Sequence, residues 1–299
     1  MLCIIGGEKL LIGRNHEDDY PATITDRPVL TGQKTVFTTA ADVDRQVSEA
    51  LSQGDSLYTL NTDLLQQLQP QVILTQDICK VCAIDLMTVE RVAQKMTPRP
   101  SVVTLNPLSL EDVLENIAQV GKAVKMEDQA SRVIHSLQER IAKAVSRGNE
   151  FLAANDGVRK NTVFIEWCDP VYPGGHWTPQ LIHMAGGSHP VKPSDGGGAG
   201  PSRRTPEQVV VDLKPELVIV CPCGLNLDDS RKEVVLIQDK PWWKEIMKTC
   251  QKVVILDGNQ MFNRPGPRLV ECLEFLVGWL WDKPELIPEG FPYEEWKHT

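Results

Sequence analysis

Two stretches far apart in the chain are built alike. LQPQVILTQDIC (68–79) and LKPELVIVCPC (213–223) each open on a Leu-x-Pro turn, pass through a short apolar run and end in polar residues and cysteine. Runs apolar on both faces suit parallel strands covered on both sides, and a parallel pair requires a crossover, usually helical. The segments downstream of the two stretches also match in outline. SVVTL (101–105) leads through a loop into a helix from about Ser109, and KVVIL (252–256) leads through DGNQMFNRPGP into a helix from about Arg268. The pattern predicts an α/β chain with two lobes of related plan.

Between the lobes, Leu110, Val113, Leu114, Ile117, Val120 and Val124 recur at helical spacing, as do Ala130, Val133, Ile134, Leu137, Ile141 and Val145. Gly121 and the acidic pair Glu127-Asp128 mark a break near Lys125. The expected division is a first lobe over 1–124, a connecting spine helix over 125–148 and a second lobe over 149–299. The Gly/Pro/Ser stretch 193–206 reads as a surface loop of the second lobe, because the strand-like Val209-Val210-Val211 comes after it.

The densest chemistry lies in CDPVYPGGHWTPQLIHMAGG (168–187). NTVFIEW (161–167) ahead of it reads as a buried strand. The segment after it reads as a helix, with Thr178 as N-cap, Pro179 at the first helical position and Gly186-Gly187 as the left-handed C-terminal cap. The loop is expected to leave the carboxyl end of the strand, where ligands bind in open α/β sheets. Glu166, Trp167, Tyr172, His176 and Trp177 are its candidate binding residues, whereas His183, inside the helix, reads as structural. Asp257, Asn259 and Arg264 sit at the corresponding end of the 252–256 strand, Arg264 on a stiff loop suited to clamping a carboxylate, amide or phosphate. Arg268 reads as helix-start packing. In the first lobe, Asp77 comes just after a strand, and His16 with Glu17, Asp18 and Asp19 comes after an apolar strand at 10–12, placed to line a site or hold a cation.

At 299 residues and 41% apolar composition the chain can bury a large core. A net charge of −9 argues against nucleic acid or an anionic membrane surface. No run reaches the roughly 20 apolar residues of a membrane span. The N-terminal MLCIIGGEKLLIG lacks the pattern of a secretory signal, so the chain as written reads as cytoplasmic and monomeric. Eight cysteines are too few for a disulfide scaffold. Cys79 and Cys82 in the first lobe and Cys221 and Cys223 in the second hold equivalent places, and their convergence on zinc stands against a Cys79–Cys82 redox pair and against unliganded packing.

GRNHEDDYP (13–21), LTQDICKVCA (74–83), GGHWTPQLIHMAGG (174–187), CPCG (221–224) and FNRPGPRLVECLE (262–274) together resemble the substrate-binding proteins of the vitamin B12 and iron-siderophore ABC importers. The resemblance implies two Rossmann-like lobes joined by one long helix, with the ligand in the cleft between them and an ABC permease as partner. It implies no intrinsic cofactor, a cobalamin-like corrinoid as ligand gripped by aromatic faces, and no enzymatic activity. A ferric siderophore or other metal chelate, and a cytosolic metal-handling role, are the alternatives. A less favoured one is an enzyme acting on a cofactor precursor through Glu166, His176 and Asp257. Relatives of this kind begin with a strand ahead of a helix matching Cys3 to Gly7. That strand is not in the sequence, and an export signal lost with it would move the chain to the periplasm or cell exterior.

Overall fold

The computed structural model describes residues 1–77, 86–190 and 213–297. Two compact units emerge. One comprises Met1–Thr38, Asp42–Pro107 and Glu111–Ser136, and the other Thr39–Ala41, Leu108–Leu110 and Leu137–Thr299. The loop at 193–206, the expected strand at 209–211, and Cys79 and Cys82 lie outside the described residues.

In the first unit, β1 (Thr31–Gln33) and β2 (Tyr58–Leu60) pair antiparallel, while β3 (Val72–Thr75) and β4 (Ser101–Thr104) pair parallel with Val72 opposite Ser101. The helices are α1 (Ala40–Gln53), α2 (Thr62–Leu68), α3 (Leu86–Gln94) and α4 (Leu110–Ala123), of which Ala40, Ala41 and Leu110 at the helix starts belong to the other unit. Asn61 caps α2 by accepting from the Leu64 amide at 3.0 Å, satisfying one of the orphan donors of a helix start. One buried cluster here comprises Leu65, Val92 and Met96, with Leu30, Leu60 and Ile73 packed against them. Beside it lies a cavity of about 640 Å³. Its wall includes Val72, Ile73, Leu74 and Thr75 in succession. Side chains alternate across a strand, so a cavity over one face would meet every second residue; this one runs along the edge of β3.

Two expectations fail in this unit. Residues 10–12 form no strand, since a short 3-10 turn at Glu8–Leu10 precedes them and only Arg14 bridges to Val29. With no partner strand beside them, Leu10 and Ile12 stay 53% and 40% exposed. The helix expected over 3–7 is a turn, closed from the Gly6 amide to the Cys3 carbonyl, with Gly6 at a φ of 85° that a right-handed helix does not accept.

The helix α5 (Glu127–Ala154) has 28 residues, about 42 Å at 1.5 Å per residue, and the division between the units falls within it. A positive φ at Lys125 separates it from α4. It continues past Gly148, where a Cβ would come within 2.9 Å of the Met184 carbonyl oxygen, so glycine admits a close neighbour there.

The second unit is built on a sheet of order β10-β9-β8-β5-β6, made of β5 (Lys160–Cys168), β6 (Val171–Pro173), β8 (Leu217–Val220), β9 (Lys252–Leu256) and β10 (Tyr293–Trp296), with β7 (Gly187–Ser188) also on β5. β5, β8 and β9 are parallel, and β10 closes one edge antiparallel. Val163, Ile165, Val218, Val220, Val253 and Ile255 cluster with α7 (Leu227–Ile237) and α8 (Pro241–Met247) through Val234, Ile237, Trp242, Trp243 and Ile246. Phe164, Ile219 and Val254, which alternation directs to the opposite face, are equally buried. The unit also contains α6 (Thr178–Met184) and α9 (Leu269–Leu280), the latter with ten of its twelve residues buried and contacting α6. A strand covered on both faces is apolar throughout, which is the LVIV pattern of β8.

The internal resemblance holds at its turns. Gln69 and Lys214, each preceding the proline of its Leu-x-Pro turn, have φ of 45° and 39°, and each turn delivers the chain into a parallel strand pair.

Candidate functional site at the carboxyl ends of β5, β8 and β9

The parallel ladder of the second unit ends where Ile165 meets Val220, and three loops begin there. They are tied to one another by backbone bonds. The Cys223 amide donates to the Glu166 carbonyl at 3.0 Å, the Gly224 amide to the Gly258 carbonyl at 3.3 Å, and the Asn259 amide to the Leu225 carbonyl at 2.9 Å. Asn263 Nδ2 donates to the carbonyls of Cys221 at 3.1 Å and Gly258 at 2.9 Å. Two of these loops come so close that a Cβ on Gly258 would lie 2.0 Å from the Pro222 carbonyl oxygen.

The loop leaves the carboxyl end of β5 and enters α6 as expected, but it contains a short strand that the sequence reading does not anticipate. It turns at Asp169-Pro170 and doubles back as β6, Tyr172 opposite Trp167 and Pro173 opposite Ile165. The register shifts between Ile165 and Trp167, so Glu166 sits at a bulge, the device that re-aims a side chain at a sheet edge. Its Oε2 accepts from the Gly175 amide at 3.0 Å. His176 comes next at a φ of 51°, a conformation uncommon outside glycine. Its ring is half-buried, 5.3 Å from that of Trp177, and burial lowers its basicity below the usual imidazole value.

Trp177 is 4% exposed and donates its indole N–H to the Phe262 carbonyl at 2.5 Å, locking the first loop to the third. It occupies the N-cap position of α6; Thr178, expected there, is the first helical residue, with the proline in the first turn. Trp167 donates its indole N–H to the Ala40 carbonyl at 3.0 Å and packs on the sheet core. Both tryptophans help build the platform: Trp177 is buried and leaves no open ring face of the kind expected for gripping a ligand, while Trp167 stays partly exposed. Asp257, 6% exposed, spends its carboxylate on its own loop, accepting from the Asn259 and Gln260 amides at 3.0 and 2.9 Å and from Gln260 Nε2 at 3.2 Å. That removes it from the acid/base set with Glu166 and His176. Asn259 Oδ1 accepts from Arg264 at 2.7 Å, which orients the guanidinium.

The structure thus brings Glu166, Tyr172, His176, Asn259 and Arg264, all half-buried, to one rim of the second unit, together with exposed Cys223. Cys221 is fully buried, and burial pushes its thiol well above the ordinary range. Cys221 lies inside and Cys223 outside, which argues against the pair acting together in a tetrahedral thiolate site. Among the described residues no cluster of three or more His, Cys, Asp or Glu side chains suits a metal ion. His183 points to solvent rather than into the core, while its carbonyl accepts from Arg159 at 2.8 Å. Arg268 stands at the N-cap of α9 and pairs with Glu271 and Gln260.

His16 and Asp77 belong to the first unit. His16 is held by Thr31, whose Oγ1 lies 2.7 Å from the ring Nδ1 and accepts from the His16 amide at 3.0 Å, and it lines the cavity beside β3. The Asp77 amide donates to Asn106 Oδ1 at 2.7 Å. Sequence reasoning misses Gly258 and Asn263, the two residues that weld the loops; the Asp-Gly step at the end of a parallel strand is the available signal.

No protein-family model matches the sequence, and neither does any curated protein. Solved structures do match. A periplasmic heme-binding protein from Pseudomonas aeruginosa superposes with a TM-score of 0.72 at 14% identity, over 100% of this chain and 94% of its own. The chain has the fold of the periplasmic binding proteins. The vitamin B12-binding protein BtuF of Vibrio cholerae gives 0.65 at 13% identity, over 95% and 93% of the two chains. An ABC-type Fe3+-hydroxamate transport protein from Saccharomonospora viridis gives 0.57 at 14%, over 93% and 88%. No helix among the described residues is long and apolar enough to cross a membrane.

Proposed function

We propose that the protein binds a metal chelate, a corrinoid in first place, as the ligand-receiving component of an ABC importer, and that it works in the periplasm or at the cell exterior. The observation that carries this reading is the platform welded from three loops at the carboxyl ends of β5, β8 and β9. Glycines and backbone bonds fix its geometry, and Glu166, Tyr172, His176, Asn259 and Arg264 stand on it half-buried. Such a rim offers hydrogen-bond acceptors and a cation to the amide and carboxylate periphery of a large ring, which suits binding and release. The similar solved proteins are described as binding heme, vitamin B12 or taking part in Fe3+-hydroxamate transport, which supports a chelate over other small molecules and a binding protein over an enzyme. Their periplasmic descriptions favour an exported location over the cytoplasmic one.

The test is titration of the purified chain with diaquocobinamide, cyanocobalamin, hemin and a ferric trihydroxamate, monitored by absorbance and calorimetry. Saturable 1:1 binding of a corrinoid is expected. Tight binding of the trihydroxamate alone would move the assignment to iron, and heat with none of them would remove it.

A further inference from the structure

The two strands that follow matching Leu-x-Pro turns differ in what flanks them. β8 lies between two parallel neighbours, β5 on one edge and β9 on the other, and all four of its residues are buried. β3 has β4 on one edge, as β8 has β9, and among the described residues no strand on the other. Its Val-Ile-Leu run suits a covered strand, yet every residue of β3 is only half-buried. The place that β5 holds beside β8 is, beside β3, the cavity of about 640 Å³.

The backbone of β3 is divided accordingly. The Ser101 amide donates to the Gln71 carbonyl at 2.9 Å and the Leu105 amide to the Thr75 carbonyl at 2.8 Å, which assigns residues 71, 73 and 75 to the ladder with β4. The amides and carbonyls of Val72 and Leu74 therefore face the cavity, among Leu30, Leu60, Leu65 and Val89. The buried Nε2 of His16, on the same cavity, has no hydrogen-bond partner among the described residues. Alternating donors and acceptors along a strand edge, bordered by apolar side chains, are met by another extended backbone. The apolar run Leu10 to Ile12 in the opposite wall cannot serve. The Leu11 amide donates to the Glu8 carbonyl at 3.1 Å and its own carbonyl accepts from Arg27 Nε at 2.8 Å.

We propose that the cavity is the seat of a further strand, an apolar polypeptide segment lying parallel to β3 and matching its four residues in length, and that this segment is joined to Met1. The direction comes from β5, which runs parallel to β8 with Thr162 opposite Leu217. Met1, Leu2 and Cys3 line the cavity, which puts the point of attachment at the slot itself. Burial lowers the basicity of the Met1 amino group, and a peptide bond at that nitrogen replaces a desolvated ammonium with a neutral amide. β3 then becomes an interior strand, as β8 is, and the backbone groups of Val72 and Leu74 gain their partners.

The experiment compares the chain with two extended forms, in which Thr-Val-Val-Ile-Val or Ser-Asn-Gly-Ser-Asn is joined to Met1 through a short Gly-Ser linker. The apolar extension is expected to raise the melting temperature by about 5 °C or more. It should also slow hydrogen exchange at the Val72 and Leu74 amides by at least about tenfold, with less change at Ile73 and Thr75, which the ladder with β4 already holds. Equal stabilisation by both extensions, or stabilisation without protection of Val72 and Leu74, would overturn the inserted strand. The third arm adds the same apolar peptide free in solution, acetylated and amidated. Protection of the two amides by the free peptide and not by the tethered one would make the occupant a separate chain and overturn its continuity with Met1.

Discussion

The indole N–H of Trp177 reaches the carbonyl of Phe262, 85 residues on, at 2.5 Å, in a fully packed setting where the ring of Phe262 lies 5.1 Å from that of Phe164. The bond joins the loop that carries His176 to the loop that carries Arg264. Trp177→Phe keeps most of the apolar volume and removes the donor, so it should cost about 1 kcal/mol; Trp177→Ala adds a cavity and should cost about 3–5 kcal/mol. Urea unfolding of the three proteins checks the order. A tryptophan that served the ligand and not the fold would show loss of affinity with unchanged stability.

Gly258 should be intolerant of any side chain. Ala at this position would place its Cβ against backbone, the Pro222 carbonyl, which cannot rotate away. The expected cost is about 1–3 kcal/mol of stability, with weakened chelate binding because the second and third loops must part. Gly224→Ala is a poor control, since Gly224 has a φ of 77°. Gly266→Ala, which meets nothing within 4 Å, is the suitable one and should be close to neutral.

Arg264→Ala should weaken corrinoid binding by about tenfold or more with little change in melting temperature, because the guanidinium stands half-buried at the rim. Asn259→Ala should have a smaller effect in the same direction, since it removes the 2.7 Å bond that orients Arg264. Calorimetric titration of both variants measures the ranking; Asn259→Ala weakening binding more than Arg264→Ala would make Asn259 the direct contact.

Thiol labelling should separate the two cysteines of the CPC segment. Cys223 is exposed, whereas Cys168, Cys221 and Cys272 are buried and desolvation raises each of their thiols, that of Cys272 to about 12. In the native protein at mild alkaline pH, Cys223 should react with iodoacetamide and the other three should react only after denaturation. Peptide mass mapping reads this directly, and rapid native labelling of Cys221 would contradict its burial.

Glu233 gives a signed dependence on pH. Burial raises its carboxyl above the ordinary value, with Asp169 and Asp229 acting in the same direction and the Ala40 amide and Lys240 opposing. An acid whose folded pKa is raised contributes its full stability below the unfolded pKa, and that contribution is lost as pH rises through the folded pKa. Glu233→Gln keeps an oxygen to accept from the Ala40 amide and carries no charge. It should therefore gain melting temperature relative to wild type at pH 8 and gain little or nothing at pH 4.5; an equal effect at both would show that the charge is not the cause.

Local architecture was legible in the string of residues. LVIV and KVVIL have the uninterrupted apolar character of strands covered on both faces, and they form β8 and β9. The Leu-x-Pro turns announced where each parallel pair begins, and the periodicity of 110–124 and the break near Lys125 placed α4 and α5. These readings succeed because they depend on side-chain pattern and backbone sterics within a few residues. Which polar and aromatic residues remain available to a ligand became visible in three dimensions alone. Trp167, Trp177 and Asp257 look like binding groups in a string of letters, yet their partners are Ala40, Phe262 and the amides of Asn259 and Gln260. Spending a buried indole N–H or carboxylate on the fold or leaving it for a ligand depends on what lies opposite it in space. The same holds for residues 10–12, apolar enough for a strand but without a neighbouring strand to complete the ladder, and for His183, whose helix turns it toward water.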